Sequence, residues 1–179
     1  DGGDVTVETG RLIIRDGASI SSSTFDAGNS GNVTVRASES VELIGTTSAP
    51  DLAGGITASA EPDSTGNGGS VVVEAPRIIA RDGGKIISAA FSEGDAGSIT
   101  VNATESVELE GVAPGKEETA GISGFFASTG EDATGNAGSL QVNTPRLTVE
   151  EGATISVTTQ SPGLGGDITL NVNRLRVTR

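Results

Sequence analysis

The chain has 179 residues, 34% of them hydrophobic, with 27 glycines, only four phenylalanines and no Trp, Tyr, Met, Cys or His. That composition excludes a core built on aromatic anchors, a disulfide framework and zinc sites of the His/Cys kind, and it removes the commonest general base. Eleven basic against 24 acidic residues leave a net charge of −13, which repels phosphate backbones and anionic membranes, so nucleic acid is not an expected partner.

The β-branched residues stand in short alternating runs, and Gly, Asn, Asp and Ser collect between the runs, which is the pattern of an all-β chain with many turns. A first run pairs Val5 with Val7, a second pairs Leu12 with Ile14, and a third centres on Ile20. The triplet returns as Val33 and Val35, Val41 and Leu43, then Ile56; as Val71 and Val73, Ile78 and Ala80, then Ile86; and as Ile99 and Val101, Val107 and Leu109, then Ile122. It closes with Leu140 and Val142, Leu147 and Val149, Ile155, and finally Ile168 and Leu170 with Leu175 and Val177. First runs are spaced by 28, 38, 28, 41 and 28 residues, the signature of a repeat architecture. The expected fold is therefore a single-stranded parallel β-helix, a solenoid with three short strands per coil and about six coils.

Period-2 alternation places Val5 and Val7 inside and Asp4, Thr6 and Glu8 outside, so like residues stack into ladders. Ile20, Ile56, Ile86, Ile122 and Ile155 are the expected core ladder of the third strand. Two positions further on stand Ser22, Ala58, Ser88, Gly124 and Val157, mostly small, which predicts a narrow cross-section there. Gly10, Pro76 and Pro145 mark the corner before the second strand. Gly31–Asn32, Gly66–Asn67 and Gly135–Asn136 are expected to turn through left-handed backbone angles.

Short and long coils alternate. The long ones carry "GTTSAPDLAGG" (45–55), "EPDSTGNGG" (61–69), "GVAPGKEETAG" (111–121) and "TGEDATGNAG" (129–138). The larger repeat is thus a pair of coils, approximately 3–67, 68–136 and an incomplete 137–179, within one segment covering 1–179. Loops of this kind are where solenoids vary their recognition.

"GNGGSVVVEAPRIIARDGGKIISAAFSEGDAGSITVNATESVEL" (66–109) and "GNAGSLQVNTPRLTVEEGATIS" (135–156) resemble the repeats of filamentous-haemagglutinin-like surface exoproteins, especially cyanobacterial ones. The resemblance covers essentially the whole chain. It implies a right-handed β-helix from a long protein exported by two-partner secretion, located outside the cell or on the bacterial outer surface, and acting in adhesion. The partner would be a surface glycan or protein receptor.

Arg11, Arg77 and Arg146 hold equivalent positions, as do Asp16, Asp82 and Glu151. Pectate-lyase-like β-helices use arginine and calcium-bound carboxylates on acidic sugars. Equivalent residues of alternate coils, however, lie roughly 10 Å apart, too far to share one cation. Recurrence at one corner favours a structural role, so no enzyme, metal or cofactor is expected. "GLGGDITLN" (163–171) resembles a calcium-binding glycine-rich nonapeptide but occurs once.

Thr6, Thr34, Thr100 and Thr169 form an outward column one residue wide, with Val72 and Gln141 completing it, and strand propensity accounts for them. Of the neighbouring pair, parity puts Phe126 in the core and leaves Phe125 exposed as a surface contact, with Lys116 in the acidic loop as a second. No apolar run is long enough to span a bilayer, so no direct membrane insertion is expected. The chain opens in a first strand and stops in a second without a capping element, which predicts end-to-end self-association of the open ladders. The runner-up function is a carbohydrate-binding or polysaccharide-cleaving β-helix protein.

Overall fold

A computed structural model describes residues 1–45, 54–113, 121–131, 133–160 and 162–179. Its strands are β1 (Val5–Ile14), β2 (Ser19–Thr24), β3 (Val33–Ile44), β4 (Gly55–Ala60), β5 (Val71–Arg81) and β6 (Lys85–Ala90). They continue with β7 (Ile99–Glu110), β8 (Gly124–Thr129), β9 (Leu140–Glu150), β10 (Thr154–Thr158) and β11 (Ile168–Val177). The odd-numbered strands form one parallel sheet in the order β1-β3-β5-β7-β9-β11. The even-numbered strands form a second, β10-β8-β6-β4-β2. The chain therefore crosses from one sheet to the other and back, and each strand pairs in parallel with the next of its own sheet.

The three separate short strands expected in each repeat are not observed: a repeat contributes one long strand to the first sheet and one short strand to the second. The first and second apolar runs belong to one long strand, bent where its register shifts, for example between Thr9 and Arg11 and between Arg36 and Ser40. Only a few residues separate the two runs, without a Gly/Asn-rich turn, so the ladder continues through the corner and a bulge provides the bend. Pro76 and Pro145 fall at this bend, where a missing N–H donor is tolerated.

Register follows the alternation read from the sequence. Val5 pairs with Val33, Val33 with Val71, Val71 with Ile99, Ile99 with Leu140, and Leu140 with Ile168. These rows and the second-run rows, such as Leu12, Val41, Ile78, Val107 and Leu147, face the second sheet and fill the space between the two.

In the second sheet Ile20 pairs with Ile56 and Ile56 with Ile86, and both Ile56 and Ile86 are fully buried. The next rung is not Ile122. Phe125 pairs with Ile86 on one side and Ile155 on the other and is fully buried, whereas Ile122 is half-buried and bridges Val112. Phe125 follows Leu109 by 16 residues where Ile56 follows Leu43 by 13, so the three additional residues move the inward position from Ile122 to Phe125. The same shift corrects Phe125 from an exposed contact to a core residue, and Phe126 becomes the outward neighbour.

The cross-section is narrow where the small residues of the third run predict it. Ser22 donates from Oγ to the Gly3 carbonyl at 2.8 Å, and Ser88 donates to the Gly69 carbonyl at 2.8 Å, across from one sheet to the segment entering the other. Backbone nearly meets backbone here. A Cβ on Gly68 would lie 2.5 Å from the Ala89 carbonyl oxygen.

Candidate functional site

The phrase repeated three times in the sequence makes a turn. Arg15 to Ala18, Arg81 to Gly84 and Glu150 to Ala153 are each closed by a backbone hydrogen bond of 2.9–3.1 Å. Asp16 and Gly17, Asp82 and Gly83, and Glu151 and Gly152 all have positive φ at the two central positions. This is a type I′ arrangement, which favours Asp-Gly because both central residues must enter left-handed space. The equivalent acidic residues serve the path of the chain from the first sheet to the second.

The Gly-Asn pairs have a different role from the one expected, because none of Gly31, Gly66 or Gly135 has positive φ. They sit where coils stack most closely: a Cβ on Gly66 would fall inside the van der Waals shell of the Gly28 carbonyl oxygen. Asn29, Asn67 and Asn136 form a side-chain ladder with Asp1 and Asp95. Asp1 Oδ1 accepts from Asn29 N–H, Asn29 Oδ1 from Asn67 N–H, Asn67 Oδ1 from Asp95 N–H, Asp95 Oδ1 from Asn136 N–H, and Asn136 Oδ1 from Leu164 N–H. Each oxygen satisfies a backbone donor of the next coil, so these groups hold the turn together. Leu164, in the "GLGGD" stretch, receives one of these caps, and no cluster of three metal-ligating side chains occurs among the described residues.

Phe125, one of the two surface candidates, is buried, and Lys116 lies outside the described residues. Lys85 instead places its Nζ 5.7 Å from the centre of the Phe126 ring, on the outward side of β8. Phe25 and Phe91 are the exposed aromatic residues, at 75% and 38% accessibility.

The outer face of the first sheet carries the charge that sequence reading set aside. At the bend a shallow groove runs across the strands, lined by Glu8, Arg36, Glu74, Asn102, Pro76 and Thr104 among others. Arg36 Nε donates to Glu74 Oε2 at 2.9 Å, and Asn102 Nδ2 donates to Glu74 Oε1 at 3.4 Å. The row continues as an amide ladder, with Asn143 donating to Asn102 and Asn171 to Asn143, both at 2.7 Å.

Immediately past the bend lies a row of arginines. Arg11 pairs with Ser40, Ser40 with Arg77, and Arg77 with Ser106, while Arg146 pairs with Arg174. Ser40 and Ser106 are buried and the four arginines are exposed. Glu39 and Glu105, both exposed, occupy the bulge residues just before those serines. Arg11 reaches Ser40 Oγ at 3.3 Å and Glu42 at 3.8 Å. Among the described residues, Arg77, Arg146, Arg174, Glu39 and Glu105 form no ion pair. Parity along one run cannot reveal this row; only the register shows that Arg11 and Arg77 stand in line through Ser40, with the glutamates beside them.

These features define an all-β protein of two parallel sheets with a charged, grooved outer face. No family model matches this chain, and no curated protein or solved structure matches it either.

Proposed function

We propose that the chain is a structural and interaction segment of a filamentous-haemagglutinin-like surface exoprotein of the cyanobacterial type. In this reading it is secreted by the two-partner route or held at the bacterial outer surface, and its two sheets are the walls of a right-handed parallel β-helix. The observation that carries the proposal is the stacking of aliphatic residue on aliphatic residue in the inward rows through all six strands of the first sheet, from Val5 to Ile168. Such a unit transmits load along its axis and presents its loops and outer faces sideways, as a stalk in an adhesin does. It acts without catalysis or cofactor and does not insert in a membrane.

The second reading, carbohydrate binding, is favoured by the groove at the bend. Polysaccharide cleavage is less suited to it: Arg36 stands between Glu8 and Glu74 in the row and is bonded to Glu74, so that carboxylate is engaged.

Antibodies against residues 1–179 test the location. Intact source cells should be labelled, and mild surface proteolysis should remove the label. Labelling only after permeabilisation would overturn the reading.

A further inference from the structure

We infer that the outer face at the bend of the first sheet binds an extended acidic polysaccharide carrying a carboxylate on every second sugar. The inference rests on the surface-segment reading only in that it names a partner for it. Along the axis the row just past the bend runs Arg11, Ser40, Arg77 and Ser106, and the next two strands add Arg146 and Arg174, while Glu39 and Glu105 stand one residue to the side, in the bulges before the two serines. Successive strands are about 4.8 Å apart, so successive arginines of the alternating part recur about every 10 Å. An extended glycan advances by close to one strand spacing per sugar. A carboxylate on alternate sugars would meet a guanidinium each time, and the sugars between would lie over Ser40 and Ser106 with their hydroxyls toward the neighbouring Glu39 and Glu105.

Three observations support this partner over another. First, Arg77, Arg146 and Arg174 are exposed and unpaired among the described residues, so their guanidinium groups are free to take a carboxylate through two parallel N–H donors. Secondly, Ser40 and Ser106 are buried, leaving low ground between the arginines on which a chain can rest. Thirdly, Pro76 and Thr104 line the groove one and two residues before Arg77 and Ser106, so the arginine row runs beside a ready trough. The Arg36, Glu74 and Asn102 side chains that also line it offer planar donors and acceptors suited to hydroxyls, and the amide ladder continues from Asn102 to Asn143.

The glutamates decide selectivity. A polyuronate, with an acid on every sugar, and a nucleic acid, with a phosphate on every nucleotide, would both bring anions against Glu39 and Glu105. Like charges at such separations repel, and the overall charge of −13, which opposes any anionic chain, weighs more against one that is acidic at every unit than against one acidic at every second.

Titration calorimetry with four probes tests this: an oligosaccharide of alternating glucuronate and N-acetylglucosamine, polygalacturonate, a neutral β-linked glucan and single-stranded DNA. The alternating glycan should bind and the other three should not. Arg77→Gln and Arg146→Gln should each weaken binding about tenfold, the loss expected for one charge-assisted contact. The double change Glu39→Gln and Glu105→Gln should admit polygalacturonate. All four positions are exposed, so thermal melts of the variants should match the parent.

The proposal is overturned if the alternating glycan does not bind, if the parent binds polygalacturonate or DNA equally well, or if the glutamate variant still rejects polygalacturonate. It is equally overturned if the arginine variants bind as the parent does while Phe25→Ala or Phe91→Ala abolishes binding. Each of these failures leaves the location of the protein to be decided by the cell labelling.

Discussion

Phe125 shows how a single residue's environment depends on loop length. It fills the rung between Ile86 and Ile155, so Phe125→Ala should cost about 3–5 kcal/mol in a urea melt, the range for truncating a buried aromatic residue. Phe126→Ala and Ile122→Ala should each cost clearly less, and equal losses at 125 and 126 would contradict the register. Ile86 and Ile87 make the same comparison within one strand: the first is fully buried and the second half-buried, so Ile86→Ala should be the more damaging. Glycine offers an independent check. Gly66→Ala would drive a methyl into the Gly28 carbonyl, a backbone atom that cannot swing aside, and should cost about 4 kcal/mol or more. Gly3→Ala, where a Cβ meets nothing within 4 Å, should be nearly silent in the same melt.

At the scale of the element, the type I′ turns determine where one sheet hands the chain to the other. Asp82 has φ of 53°, a conformation that Asn shares readily and a β-branched residue resists. Asp82→Asn should therefore leave the melting temperature close to the parent's, while Asp82→Val should lower it by several degrees, corresponding to about 1–3 kcal/mol. Strand position sets a second expectation. β5 and β7 have a partner on each side, but β1 and β11 have one partner each. Amide exchange should be slowest in β5 and β7 and fastest in β1 and β11. Uniform protection across the sheet would show that the outer strands are paired in solution.

For the whole molecule, that last outcome leads to association. Along β11, Ile168, Leu175 and Val177 are 42%, 48% and 67% exposed, and the open edges of β1 and β11 each retain unpaired backbone groups. Two copies can join these edges in the register already used inside the sheet, opposed by the repulsion between two bodies of charge −13. Light scattering should therefore show association that rises with protein concentration and with salt, since salt screens the repulsion and leaves apolar contact intact. Glycan binding at the arginine row should respond to salt in the opposite direction. Metal has no part in this account, and melts with and without a chelator should coincide. A fall on chelation would reveal a structural ion.

Much of the fold was legible in the sequence because period 2 and the interval between runs are local properties. Val5, Val33 and Val71 declare both their face and their stacking partners, and no distant residue is needed to read them. Small side chains at Ser22 and Ser88 likewise announced the narrow waist. Three matters depended on the assembled structure. The first two runs join into one bent strand because hydrogen bonding to the neighbouring coil persists through the corner, which neither run shows alone. Phe125 rather than Ile122 faces inward because the loop before β8 changes the phase, and parity cannot be carried across a loop. The arginine row exists only in register: Arg11, Ser40, Arg77 and Ser106 are scattered along the chain, and the register shifts at the bend bring them into one line with Glu39 and Glu105 beside it.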